Sequence, residues 1–312
     1  EEGSVQMYSH DEMTRTLWKI VENSENVTIH WAKLPKVATH LKYLANEKND
    51  VAIPAWADPE RHPDEFPLIN NLDTIQYFFV MIAQGYLHYL CDSLGNQYMW
   101  ELTVLGKKKV GVHAQYACAD RAIKHGINIL DPKVLISMTL ADVEQFYLDE
   151  SSGKPNIPDL PGRLNRFHEV GEVLIARYKG HYGNLLLQSQ GYLFREDGSG
   201  IVQKLVTEFP LSYGDWPFCK LSVTPARMLF DRRKPEITTD HYYDELTKIC
   251  DPEHFEAGAD VARPFALIRL GILEVSQHLR EILKQKVPVG RNAAVYDETR
   301  AAAMLVCREL VN

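Results

Sequence analysis

Phe255-Glu256-Ala257-Gly258-Ala259-Asp260-Val261-Ala262-Arg263-Pro264 is the segment on which the reading of this chain turns. Beyond it, apolar residues recur at Phe265, Leu267, Ile268, Leu270, Ile272 and Leu273, a spacing that predicts a helix with one buried face. Residues 255–284 carry the best helical pattern in the chain. Pro264 suits the first helical turn, where its missing N–H leaves no bond unmade. Asp260, just ahead, has the position of an N-cap, a role worth about 1 kcal/mol. The positive end of the helix dipole also favours an anion there, by roughly 0.3–1 kcal/mol. Capping and chemistry are therefore compatible at this residue.

Working outward, Arg163 to Tyr178 reads as a long amphipathic helix ended by Gly180. Thr139 caps a helix running to about Leu148, and Ala114 to His125 forms another, stopped at Gly126. Residues 11–48 give two helices, with stripes at Leu17, Ile20, Val21 and at Val37, Leu41, Leu44; Val27-Thr28-Ile29 between them reads as extended. Residues 98–112 alternate around Gly106-Lys107, as a hairpin would. The apolar run 72–92 is buried, and its periodicity fits strand and helix equally. Residues 51–71, with Pro54, Pro59, Pro63 and Pro67, form a loop, and Asp149 to Gly162 has the composition of a linker. The expected fold is mainly α, with a small antiparallel sheet confined to about residues 72–112. One domain spans 1–312, with a possible subdivision near 149–162.

The 312 residues, 45% apolar and 24% charged, have ordinary globular composition. A chain this long buries roughly three quarters of its unfolded surface, so its core needs no disulfide or metal. The formal net charge of −8 argues against a nucleic-acid polymer as partner, because tracking phosphates requires clustered Lys and Arg. A small anionic ligand is compatible with a locally positive pocket. The five cysteines are widely spaced and odd in number, which reads as reduced intracellular thiols. No apolar stretch reaches the length of a membrane span, and Glu1-Glu2-Gly3-Ser4 lacks signal-peptide architecture. The expected compartment is the cytoplasm.

No GxGxxG, Walker, HExxH or GxSxG signature is present. The twelve histidines are scattered rather than set at ligand spacing, which disfavours a metal. The pattern Asp260, Pro264, Leu267, Leu270, Gly271, Leu273 resembles the queuosine-salvage protein family, whose Asp in this turn is the catalytic carboxylate. Further stretches agree in order: Ile20 to Val27, Asp73 to Phe78, Gly111 through Arg121-Ala122 to Gly126-Ile127, Arg163 to Tyr178, Phe209-Pro210 and Tyr213 to Asp215. Each is weak alone; their collinearity is the specific part. Three departures stand out. Gly258 replaces the family's Phe two residues before the Asp, Thr224-Pro225-Ala226-Arg227 stands for its Lys-Arg-Ala-Gln, and its Asp- and Trp-containing C-terminal segment has no counterpart before Asn312.

The resemblance implies a helical architecture like that of DNA glycosylases; no cofactor or metal is expected. It also implies hydrolysis of the N-glycosidic bond of queuosine 5'-monophosphate, a 7-deazaguanine nucleotide, which frees queuine for tRNA modification. Asp260 is then the catalytic carboxylate. Around it, Asp73 and Gln76 are candidates to hydrogen-bond the base and Tyr77 and Phe78 to stack on it, although both rings equally suit a core. His62 resembles a family His that contacts ligand, and Gly258 lines the site. Lys204, Arg227 and Arg263 are candidates for the 5'-phosphate, while Lys107-Lys108-Lys109 reads as a solvated hairpin tip. The Asp260 turn, the Asp73–Phe78 segment and the His62 loop are expected to surround one pocket. Two other readings stay open: a DNA-glycosylase-like enzyme, and a nucleotide-binding protein that has lost catalysis.

Overall fold

The computed structural model describes residues 8–48, 54–94, 96–260, 262–286 and 293–311. The Glu1–Ser4 start, residues 51–53 of the Pro-rich loop and Val261 lie outside them. In chain order the elements begin with α1 (His10–Glu22), β1 (Val27–Ile29), α2 (Leu34–Lys48), α3 (Leu72–Ala83), β2 (Tyr89–Cys91), β3 (Gln97–Met99), β4 (Glu101–Val104) and β5 (Lys107–Val110). Next come α4 (Gly111–Lys124), α5 (Pro132–Ser137), α6 (Leu140–Phe146), β6 (Leu148–Asp149), β7 (Lys154–Pro155), α7 (Leu160–Tyr178), α8 (Tyr182–Ser189), α9 (Ile201–Glu208) and α10 (Pro210–Tyr213). The chain continues through α11 (Lys220–Asp231), α12 (His241–Leu246), α13 (Ala262–Arg269), β8 (Leu273–Val275), α14 (Gln277–Lys284) and α15 (Ala294–Val311). The fold is mainly helical, and its strands form two-stranded antiparallel pairs.

The apolar run after residue 71 is a helix. The Asn71 side chain accepts the Thr74 N–H, and the Thr74 hydroxyl oxygen accepts the Asn71 N–H in return, a capping box. Every residue from Thr74 to Ala83 is buried, so α3 shows no polar face because it has no solvent side. The hairpin forms as read, with Val104 opposite Lys107.

Two expectations need correction. The helical pattern of 255–284 is not one helix. α13 stops at Arg269, where Gly271 takes φ 73°. The Ile272 N–H then reaches Leu267 O and the Gly271 N–H reaches Ile268 O, a Schellman ending. Leu273 therefore enters β8, and a separate α14 follows. Nor are strands confined to 72–112: β8 pairs with β1, Val27 opposite Val275, and β6 pairs with β7. The Ser/Pro/Gly stretch after Asp149 is tied back to the hairpin, since the Asp149 carboxylate accepts the Thr103 N–H at 2.8 Å. That stretch leads into α7, capped by Asp159.

The β1–β8 pairing brings the two ends of the chain together. A second apolar cluster gathers there from Val27, Val37, Leu267, Ile272, Val275 and Val306. α15 lies between this cluster and the main core, giving Ala302 and Ala303 to one and Ala301, Met304 and Leu305 to the other. Small side chains at 301–303 let neighbouring elements approach α15 closely. The segment bearing Asp260 is held against this helix.

Candidate active site

Residues 255–260 have neither helical nor strand structure, so side chains fix their path. Phe255 packs on Phe230, ring centroids 5.4 Å apart. The Glu256 carboxylate, its side chain 4% exposed, lies 2.8 Å from His10 Nε2 of α1 and accepts from Arg308 Nε of α15 at 2.8 Å. Burial raises the Glu256 pKa, but these two hydrogen bonds outweigh it and hold the group below its ordinary value. At the far end Arg300 Nε of α15 donates to Ala259 O at 3.0 Å. One segment is thus anchored to both the first and the last helix, immediately before Asp260.

Asp260 is half-buried. Its Oδ1 accepts the N–H of Ala262, the first residue of α13, at 3.0 Å, and its Oδ2 lies 3.4 Å from Lys220 Nζ. Partial burial pushes its pKa up. The Lys220 ammonium, the Ala262 N–H and the Arg263 charge together outweigh burial, so the carboxylate titrates below its ordinary value. Gly258 stands between the two cations. A Cβ there would come 3.2 Å from Lys220 Cγ and 3.4 Å from an Arg263 guanidinium nitrogen.

A second carboxylate shares these neighbours. Asp215 Oδ2 accepts the backbone N–H of Lys220 at 2.8 Å and lies 3.6 Å from Arg300, whose guanidinium covers the Phe218 ring at 3.8 Å. Asp215 Oδ1 is shielded from solvent without a hydrogen-bond partner. Burial raises the Asp215 pKa further than Arg300 and the two N–H donors at the start of α11 lower it. Burial thus moves Asp215 upward from its ordinary value, while the cations and the Ala262 N–H move Asp260 downward from it.

The other predicted residues fall elsewhere. α3 and α11 run in opposite directions: Gly85 meets Leu221 at one end, and Asn70 bonds Arg232 at the other. Asp73 lies in the first turn of α3, at the end away from Lys220, about 18 Å along the axis from the Gly85 end. Asp73 is exposed there. Gln76 is buried with both ends engaged, donating to Leu130 O and accepting the Tyr182 N–H. Tyr77 donates to Glu65 O, and Phe78 is fully buried under Arg232. Gln76, Tyr77 and Phe78 therefore serve the core, because their polar atoms and faces are already taken. His62 stacks beside His113 and packs on Phe66, which touches Phe78. The His62 loop and the Tyr77–Phe78 segment do meet. Among the described residues, no hydrogen bond or ion pair joins them to Asp260. Lys204 donates to Gln188 and Arg227 pairs with Asp231 in its own helix; of the proposed cations only Arg263 lies beside Asp260.

Lys220, Asp215, Arg300 and Glu256 are the side chains that the fold gathers around the Asp260 segment, and sequence reasoning did not single out Lys220, Arg300 or Glu256. Those three are separated from one another by 36 to 80 residues of chain and belong to no shared spacing; only Asp215 lay in a stretch with a family likeness.

Three curated proteins named queuosine 5'-phosphate N-glycosylase/hydrolase are similar to this chain. The one from Nematostella vectensis is 23% identical over 258 residues, 81% of this chain and 68% of that protein. Those from Sphaerobacter thermophilus and Dictyostelium discoideum are 26% and 23% identical, and the chain spans 62% and 59% of their lengths. The family model described as queuosine salvage protein matches residues 66–312, the span that holds the Asp215 and Asp260 carboxylates. By that match, over more than half its length, the chain belongs to the queuosine salvage protein family.

Proposed function

We propose that this protein hydrolyses the N-glycosidic bond of queuosine 5'-monophosphate and releases queuine, with Asp260 as the catalytic carboxylate. The observation that carries the reading is a half-buried carboxylate kept ionised by Lys220, the Ala262 N–H and Arg263, inside a family whose similar members bear that activity in their names. Breaking the bond builds positive charge on the ribose carbon, and a fixed anion beside it stabilises the oxocarbenium-like transition state or attacks it. Water then completes hydrolysis. Lys220 and Arg263, flanking Gly258, supply the charge that a 5'-phosphate needs.

Separate incubations with queuosine 5'-monophosphate, queuosine, purine 5'-monophosphates and damaged duplex DNA test this, with free base measured by mass spectrometry. Release from the monophosphate ahead of the other substrates is expected. Release only from DNA would support the DNA-glycosylase reading, and release from none would support a binding protein.

A further inference from the structure

The sequence spreads its histidines, yet the fold gathers two of them around a buried carboxylate far from Asp260 in the chain. Glu65 sits in a helical turn whose backbone is closed by the Glu65 and Phe66 N–H groups on His62 O. Its carbonyl is fixed from behind by Tyr77 Oη at 2.5 Å, and its side chain is 1% exposed. Glu65 Oε2 lies 2.5 Å from His113 Nδ1 at the start of α4 and 3.8 Å from His62 Nδ1. One ligand atom from each of the three residues falls within 4.8 Å of the others. The two imidazoles lie nearly parallel, 24° apart, on the open side of the carboxylate, and are 34% and 40% exposed.

We propose that His62, Glu65 and His113 form a site for a divalent transition-metal ion, zinc being the best match. Two imidazoles and one carboxylate, with a face left to water, are a zinc donor set. Ligand atoms about 2.0–2.2 Å from one tetrahedral ion stand roughly 3.4 Å apart. The His62–Glu65 separation is near that value, and the His113 contact has to open by about 1 Å. The ion takes the place of the hydrogen bond between His113 Nδ1 and Glu65 Oε2, and His113 binds it as the neutral Nε2–H tautomer. Lys109 Nζ holds the other carboxylate oxygen, Oε1, at 2.5 Å. It leaves Oε2 as a single-oxygen ligand and opposes the ion by its charge. Removing that ammonium therefore tightens the site.

The test uses the full, untagged chain after chelator dialysis, titrated with Co(II) and with Zn(II) alone. One equivalent of Co(II) is expected to bind with the visible absorption of a four-coordinate ion, and Zn(II) to displace it. His62→Ala and His113→Ala, both at partly exposed positions, are each expected to weaken binding at least tenfold, and Lys109→Met to strengthen it. Far-UV circular dichroism of each variant checks that the fold is retained. A titration that does not saturate at one equivalent overturns the site. So does one that saturates equally in the two histidine variants.

Discussion

Asp260 does two things with one carboxylate. Oδ1 caps the approach to α13 through the Ala262 N–H, and Oδ2 faces Lys220. The first role was legible in the sequence, because Asp ahead of a Pro-containing first turn has few other local uses. The second was not, since Lys220 is 40 residues away in another helix. The same limit applied to Tyr77 and Phe78: an aromatic pair in an apolar run looks alike whether it faces a ligand or a core. The Lys220 contact makes a testable difference. Lys220→Met removes the largest influence that lowers the Asp260 pKa, so that pKa rises. Because the carboxylate must be ionised, the acid limb of the kcat/KM profile moves to higher pH in the variant. KM for the 5'-monophosphate is expected to rise as well, while KM for the nucleoside changes little. An unchanged acid limb and an equal change in both KM values would remove Lys220 from the site.

The elements that position Asp260 are the outermost ones in the chain, α1 and α15, joined through Glu256. The apolar pattern announced both α1 and the β1 segment, but nothing local announced that β1 would pair with residues 273–275. A three-residue strand has too few alternating positions to signal its partner. The overextended helix at 255–284 failed for a related reason: a Schellman ending at Gly271 preserves the apolar spacing across the break. Glu256 is the vulnerable point of this arrangement, because its buried charge depends on two partners. Its folded pKa lies below the ordinary 4.5 because His10 and Arg308 hold the anion. It therefore stabilises the fold above that ordinary value, and the contribution is lost as pH falls through the lower folded pKa. Arg308→Ala leaves a buried carboxylate with one partner fewer, at a cost of about 3 kcal/mol near neutral pH. Urea denaturation across a pH series is expected to show that loss, with acid unfolding shifted to higher pH. A variant as stable as its parent at every pH would show that the segment is held by packing alone.

At the scale of the whole molecule, composition and periodicity were enough for a mainly helical protein, and collinear motifs were enough for the family. The site itself was half legible. The turn with Asp260, Gly258 and Arg263 is continuous in sequence, whereas its cationic and carboxylate neighbours are assembled by α11 and α15. The absence of a transmembrane helix among the described residues agrees with the length of the apolar stretches. Asp260 is the proposed stabiliser of the breaking glycosidic bond. Its most direct test is the rate of queuine release from queuosine 5'-monophosphate by the parent and by Asp260→Asn, compared at matched helical content. Loss of one preorganised charge-stabilising group is expected to slow release by about 10²–10³-fold while the fold persists. Release at the parental rate by a folded Asp260→Asn would contradict the account and leave Asp260 a helix cap.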